Sequence, residues 1–413
     1  MEIKNTVNTF TGIEYLCIDI ANCYGLDKEV FADRIQWVKD NFNNLEELAD
    51  QATEDKVLYI KSVMALRDVV SGKPTGHLIS LDATCSGMQV LSALTGCIKG
   101  AIITNLTPEP KRYDAYTEVT AEQNKVLREW QVQGLEISRK DAKDAVMTSL
   151  YGSKATPKKI FGEDGPAIEA FYEAAMRSAP GAFGLLNTLL NAWQPWALSH
   201  YWKMPDGFDV AVKVMQTEET RIEVDELNHH KFKTSYKVNM GSKSGISLPA
   251  NVTHSVDAYV LRTLLRKCSY HAPTLKKCKA MLTEFMDSPV TECESPLLGM
   301  YYSTGLVDPV WFETMNNEVA QSIPKELKVK LLAMIEDITQ FKPFPVLTVH
   351  DAFRIHSNNG DALRYHYRNI LADLADSTLL DHILSMITGK KFKYKKLSNN
   401  LSQQIRESIY GVC

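Results

Sequence analysis

Arg139, Lys143 and Tyr151 stand within residues 139–152, RKDAKDAVMTSLYG. A four-residue step puts Arg139 and Lys143 on one stripe of a helix. Tyr151 falls ~12 Å further along the axis, just before a Gly152 that can end it. A nucleoside triphosphate is about that long, so two cations can hold its phosphates while the ring meets sugar or base. The plainer alternative is a solvated helix in which Arg139 and Lys143 pair with Asp141 and Asp144. Two acids could supply the rest of the chemistry. HLISLDATCSGMQVLSALTG carries Asp82 at the end of an apolar run and before small residues, which suits a metal ion and phosphate close to the backbone. Asp82 as a helix cap is the bland alternative. FPVLTVHDAFRIH carries Asp351 beside His350, flanked by alternating apolar residues that predict a tight hairpin. Two carboxylates brought together strongly disfavour ionising side by side unless cations neutralise them. Two magnesium ions about 4 Å apart would do so, and would also acidify an attacking hydroxyl and stabilise a leaving pyrophosphate.

The chain must build a scaffold for these groups. At 413 residues and 45% hydrophobic it can bury a large core in two or three subdomains. A net charge of -4 argues against nucleic acid as a partner only weakly, because cations can cluster locally. The eight cysteines, Cys17, Cys23, Cys85, Cys97, Cys268, Cys278, Cys293 and Cys413, contain no CxxC pair, so reduced thiols in an intracellular compartment are expected and no zinc site. MEIKNTVNTFTG lacks an apolar signal core, and no run reaches the length of a membrane span. Phe31, Ile35, Val38 and Phe42 predict a helix, as do residues 57–70, stopped by SGKPTG. Two basic stretches interleave aromatics with cations: KKFKYKKL at 390–397 and HHKFKTSYK at 229–237. Either is a strand-tracking surface or a solvated charge run.

Taken in order, DATCSG, RxxxKxxxxxxxYG and the hairpin His-Asp resemble the A, B and C motifs of the single-subunit RNA polymerases of phages and mitochondria. The resemblance extends to IDIANCYGLDKEVFADRIQWVKDNF, where Lys28 falls on a lysine that contacts the incoming nucleotide. It includes WKMPDGF, which leads to a specificity-type hairpin at about 221–238, NVTHSVDAYVLR with His254, and a C-terminal foot, IRESIYGVC. It implies that Asp82 and Asp351 ligate two Mg2+ ions, with the carbonyl of Ala83 as a further ligand. Arg139 and Lys143 would hold the triphosphate, and Lys143 would protonate pyrophosphate. Tyr151 would guard the insertion site and, with His254, sense the ribose 2'-OH; Tyr116 would lie near the nucleotide. Ala83, Val90 and Ala352 replace the family's usual Gly, His and Ser, and none of these removes a metal ligand. The wide gap between His254 and His350 predicts an insertion at about 264–342.

The implied fold is α+β, a right-hand palm and fingers, mostly helical with a small antiparallel palm sheet, and with thumb and N-terminal domain absent. Residues 1–110 would form palm with motif A, residues 111–205 the fingers, and residues 206–413 the hairpin, insertion, motif C and foot. The implied function is that of a DNA-directed RNA polymerase catalytic subunit, acting in the cytoplasm of a bacterial host on DNA template, nascent RNA and ribonucleoside triphosphates. No Asp-x-x-Gly-Arg precedes Lys28. The chain therefore most resembles the larger subunit of the split, two-chain RNA polymerase of enquatrovirus-type phages, and a second polymerase subunit is expected to supply thumb and Asp-x-x-Gly-Arg motif. The alternatives are a Pol I-type DNA polymerase fragment, which would carry a 2'-OH-blocking Glu where this chain has Gly87, and a non-catalytic nucleic-acid-binding remnant.

Overall fold

The computed structural model describes residues 9–243, 245, 247–291 and 295–413. Cys293 and the first eight residues lie outside the described residues, and the other seven cysteines are free thiols. The described chain is mostly helical with three small antiparallel sheets.

The central sheet has the order β1-β7-β6, built from β1 (Leu78–Asp82), β6 (Leu347–Val349) and β7 (Ala352–His356). Period-two alternation fixes which face is buried. Ile79 and Leu81 of β1 lie opposite Ile355 and Phe353 of β7, and all four are buried. The same register sets Asp82 opposite Ala352 at the sheet's end. β6 and β7 are joined by a two-residue turn, His350–Asp351, with Val349 paired to Ala352. His350 takes a left-handed φ of 55° to close it. The C-terminal residues add a fourth, partial strand: Asp82 N–H donates to Cys413 O (3.2 Å), Cys413 N–H donates to Asp82 O (3.0 Å), and Ala83 bridges Val412.

The sheet sits on one large core that draws on helices from Gly12–Ala21 to Leu401–Arg406. Residues from Leu275 to Ile338 pack instead into a second core around Trp311, Leu282 and Leu331. This helical unit, inside the stretch expected to be an insertion, is tied back by buried ion pairs. Asp206 bonds Arg262 (2.6 Å) and Arg266 (3.1 Å), and Arg266 reaches Asp308 (3.3 Å), which also accepts from Thr263. Two hairpins complete the sheets: β2 (Ser199–Lys203) with β3 (Asp209–Lys213), and the longer β4 (Met215–Val224) with β5 (His230–Asn239). The second hairpin is largely exposed.

The helix expected across residues 139–152 runs over Arg139–Ser149, started by Ser138, whose Oγ accepts from Asp141 N–H. Tyr151 is therefore not on the helix, as the spacing implied, but in the turn after it, its N–H bonded to Thr148 O (3.2 Å) before Gly152 at φ 85°. The three-residue closure of the last turn takes Tyr151 out of the regular helix. Likewise Phe42 follows the Phe31–Asp40 helix in a short turn of its own. Among the described residues, no helix is long and apolar enough to cross a membrane.

Candidate active site

Asp82 and Asp351 reach one place because strand register and the two-residue turn deliver them there. Ala83 N–H donates to Asp351 O (3.1 Å), which locks the turn against the end of β1. Asp82 does not cap the next helix: Cys85, in a left-handed conformation at φ 54°, occupies the cap position of Ser86–Thr95. Burial, then the negative charge of Asp351, pushes the Asp82 carboxyl above its ordinary value, and a long bond from Ser80 Oγ (3.4 Å) relieves it only partly. The Asp82 side chain nonetheless opens to solvent. Neither acid has an ion-pair partner among the described residues. Two under-neutralised carboxylates with hard oxygen donors are a donor set suited to magnesium.

A cavity of about 330 Å3 opens beside them, lined by Ser86, Tyr151, His254, Asp257, His350 and Asp351 among others. Tyr151 and His254 pack against each other in its wall, ring centroids 4.7 Å apart. Gly87 lies against Tyr151: a Cβ there would sit 3.0 Å from the Tyr151 hydroxyl. Asp257 was not singled out in the sequence. It stands one turn after His254 on the Ser247–Cys268 helix, accepts from Ser86 Oγ (3.4 Å), and is raised to about 6 by burial and by Asp351. Its three-residue offset from His254 was the available signal.

The cations gather on a second wall. Arg139 does not pair with Asp141, and Asp114 is its partner, accepting from Nε (3.1 Å) and Nη2 (2.6 Å). Lys28 Nζ lies 3.8 Å from the same carboxylate and also bonds Asp27. Asp114 is itself the cap of the Ala115–Glu129 helix, accepting from Thr117 N–H (2.8 Å). Burial raises its pKa, but Arg139, the cap bond and Lys28 outweigh that and bring it to about 2. Tyr116 lies under both helix cations, its ring centroid 5.6 Å from the Arg139 guanidinium and 5.9 Å from Lys143 Nζ. Lys143 has no ion-pair partner among the described residues. Asp114 escaped the sequence reading because nothing local connects it to residue 139.

Burial, followed by the neighbouring Cys85 thiol, drives the Tyr116 hydroxyl far above the ordinary range. The buried Cys413 thiol accepts from Arg112 Nε (3.1 Å); burial alone would raise it, but Arg112 and Arg34 hold it below its usual value. A larger cavity of about 500 Å3, lined by Arg266, Tyr270, His271 and Phe312, opens where the second core meets the Ser247–Cys268 helix and holds none of the expected site residues. Glu223, Asp225 and His229 cluster at the exposed tip of the β4–β5 hairpin, where His229 bonds both acids (3.0 and 3.1 Å). This cluster owes its existence to hairpin register.

Comparison with known proteins bears on the same residues. The DNA-directed RNA polymerase of Pseudomonas phage phiKMV is 28% identical over 34% of this chain and 21% of its own length. The mitochondrial DNA-directed RNA polymerase 1 of Arabidopsis thaliana is also 28% identical, over 34% of this chain and 18% of its own. The enzyme of Enterobacteria phage K11 is 23% identical over 61% of this chain and 37% of its own. The chain thus spans about a fifth of the length of the first two relatives. Residues 7–159, which contain Lys28, Asp82, Gly87, Tyr116, Arg139, Lys143 and Tyr151, match the family model described as DNA-dependent RNA polymerase.

Proposed function

We propose that this chain is the catalytic part of a DNA-directed RNA polymerase, transferring ribonucleoside monophosphates to an RNA 3'-OH on a DNA template. The observation that carries the reading is the meeting of Asp82 and Asp351 at one end of the central sheet, neither with an ion-pair partner among the described residues. Asp82, Asp351 and the Ala83 carbonyl would hold two magnesium ions. When bound, such ions acidify the attacking hydroxyl and stabilise the pyrophosphate leaving group.

The chain's own residues do the remainder. Arg139 and Lys143, stacked over Tyr116, present a cationic wall to the triphosphate, and Lys28 adds to it. Lys143, free of a carboxylate partner among the described residues, is placed to give a proton to pyrophosphate, a contribution of about 100-fold or more. Tyr151 and His254 would read the sugar. Gly87 supports ribose over deoxyribose, since a side chain there would displace the Tyr151 hydroxyl rather than leave room for a 2'-OH. A Pol I-type enzyme would need a Glu at this crowded point.

The proposal extends to a second polymerase subunit that would bring the thumb and the Asp-x-x-Gly-Arg motif. Extension of a primed template with labelled ribonucleotides tests the core of the proposal. Asp82→Asn and Asp351→Asn should each lower extension by roughly 1000-fold, the upper end for removing a preorganised electrostatic group, with template binding and helical content unchanged. Substantial turnover by either variant, where the parent is active, would reject the paired-acid site.

A further inference from the structure

Of the two basic stretches, β5 has its charge partly spent: Lys231 pairs with Glu223 (3.1 Å) and Lys233 with Glu219 (2.5 Å) across the hairpin. Residues 389–397 differ. No carboxylate stands between Asp381 and Glu407, while Lys390, Lys391, Lys393, Lys395, Lys396 and Arg406 do. The stretch leaves the Leu379–Thr388 helix at Gly389, φ 66°, and runs as a strap without regular structure. From 391 to 397 exposure alternates residue by residue, the signature of an extended chain with two faces. The inner face is fastened. Phe392 and Tyr394 pack on the main core, Phe392 N–H donates to Ser385 Oγ (2.8 Å), and Tyr394 N–H donates to Asp381 Oδ1 (2.8 Å). Lys396 is turned inward onto Ala375 O (2.5 Å) and Ser377 O (2.6 Å), and Leu397 N–H donates to Thr95 O (2.9 Å). The outer face carries Lys391, Lys393 and Lys395, exposed and without an ion-pair partner among the described residues.

We propose that this strap is a phosphate-tracking surface for one nucleic-acid strand. An extended chain repeats its outward side chains about every 6.6 Å, a step of the same order as one nucleotide of a stretched sugar–phosphate backbone. Fastening at five backbone and side-chain bonds fixes that comb before binding, so little ordering is left to offset the gain. The aromatics are committed to the core, so contact is with phosphates and carries no base preference. The strap also touches the molecule at a telling point. Thr95 ends the buried Ser86–Thr95 helix, whose other end lines the candidate site, so the Leu397 end of the strap lies about 15 Å from that site through the core.

The test is equilibrium binding of the full chain to a fluorescent single-stranded 20-nucleotide DNA of mixed sequence, by anisotropy from 50 to 200 mM KCl. This rests on the polymerase reading only for its biological meaning, since binding needs no catalysis and can succeed or fail independently of extension. Lys391→Gln, Lys393→Gln and Lys395→Gln combined should flatten the slope of log K against log salt by about 2, three single-strand phosphate contacts' worth, with the thermal midpoint unchanged. A charge-matched control, Lys73→Gln with Lys276→Gln and Lys277→Gln, should flatten it by much less. Equal losses in the two triple variants would mean net charge alone matters and would overturn the proposal. So would an unchanged slope in the strap variant, or loss of binding to phosphatidylserine vesicles with oligonucleotide binding retained.

Discussion

Asp114 accepts two bonds from Arg139 and lies within reach of Lys28, so one carboxylate orients two of the cations proposed to meet the triphosphate. Its folded-state pKa, about 2, is below the unfolded value of 3.8. Stability from this group is therefore fully present above about pH 4 and is lost as the pH falls towards 2. With Arg139 partly exposed, solvent screening leaves about 1–2 kcal/mol of that contribution. Asp114→Asn should lower unfolding free energy by that amount at pH 7 and by almost nothing below pH 2, checked by urea denaturation of parent and variant across the range. A gap that stayed constant with pH would assign the loss to the helix cap instead. Tyr151 offers a second residue-scale test. With the Tyr151 hydroxyl against Gly87 and its ring against His254, Tyr151→Phe removes the hydroxyl proposed to bond the ribose and leaves the packing. The preference for ribonucleotides over deoxyribonucleotides should then narrow about tenfold, the worth of roughly 1 kcal/mol, in competition assays with both substrates. An unchanged ratio would acquit Tyr151 as the sugar sensor.

At the scale of elements, the β6–β7 turn decides where Asp351 points, and it does so through a backbone conformation that side chains resist. His350 at φ 55° accepts a strain that a β-branched residue would find much worse. His350→Val should cost about 1–2 kcal/mol and lower extension, while His350→Gly should keep the turn and most activity. Thermal melts paired with extension rates check this, and a tolerated valine would show that the turn is held from outside. The hairpin and β1 were legible in the sequence because alternation is a local, period-two signal. FPVLTVHDAFRIH names both strands and their turn, and HLISLD names the partner. Asp114 was not legible, and Asp257 was legible only through its three-residue offset from His254. The first meets Arg139 through the packing of two helices, and the second meets Asp351 through a cavity wall; no spacing rule links residues so joined. The exit of Tyr151 from its helix was missed for a related reason, since Gly152 announces an end without saying which residue before it leaves the axis.

At the scale of the molecule, one surface is difficult to reconcile with a chain acting alone. Val57, Ile60 and Met64 recur at three- and four-residue steps on the Lys56–Val70 helix and are 68%, 39% and 61% exposed. Leu347 and Val349 on β6 are 56% and 54% exposed, and β6 is an edge of the central sheet. Met64 and Leu347 line one cleft, with Arg354 between sheet and helix. An apolar stripe beside a strand edge unpaired among the described residues costs solubility and invites pairing, so it is the seat proposed for the second polymerase subunit. A thumb-bearing partner seated there would press on the strands that present Asp82 and Asp351, so docking and catalysis should be coupled. The isolated chain should therefore extend a primed template poorly, and activity should appear with a one-to-one complex on adding that partner. Met64→Asp with Leu347→Asp should weaken the complex by at least tenfold, about 1.4 kcal/mol, read by sedimentation, while the variant alone stays folded. Equal extension rates for the isolated chain and the mixture, with monomers in both, would remove the partner from the account and leave the apolar stripe without a role.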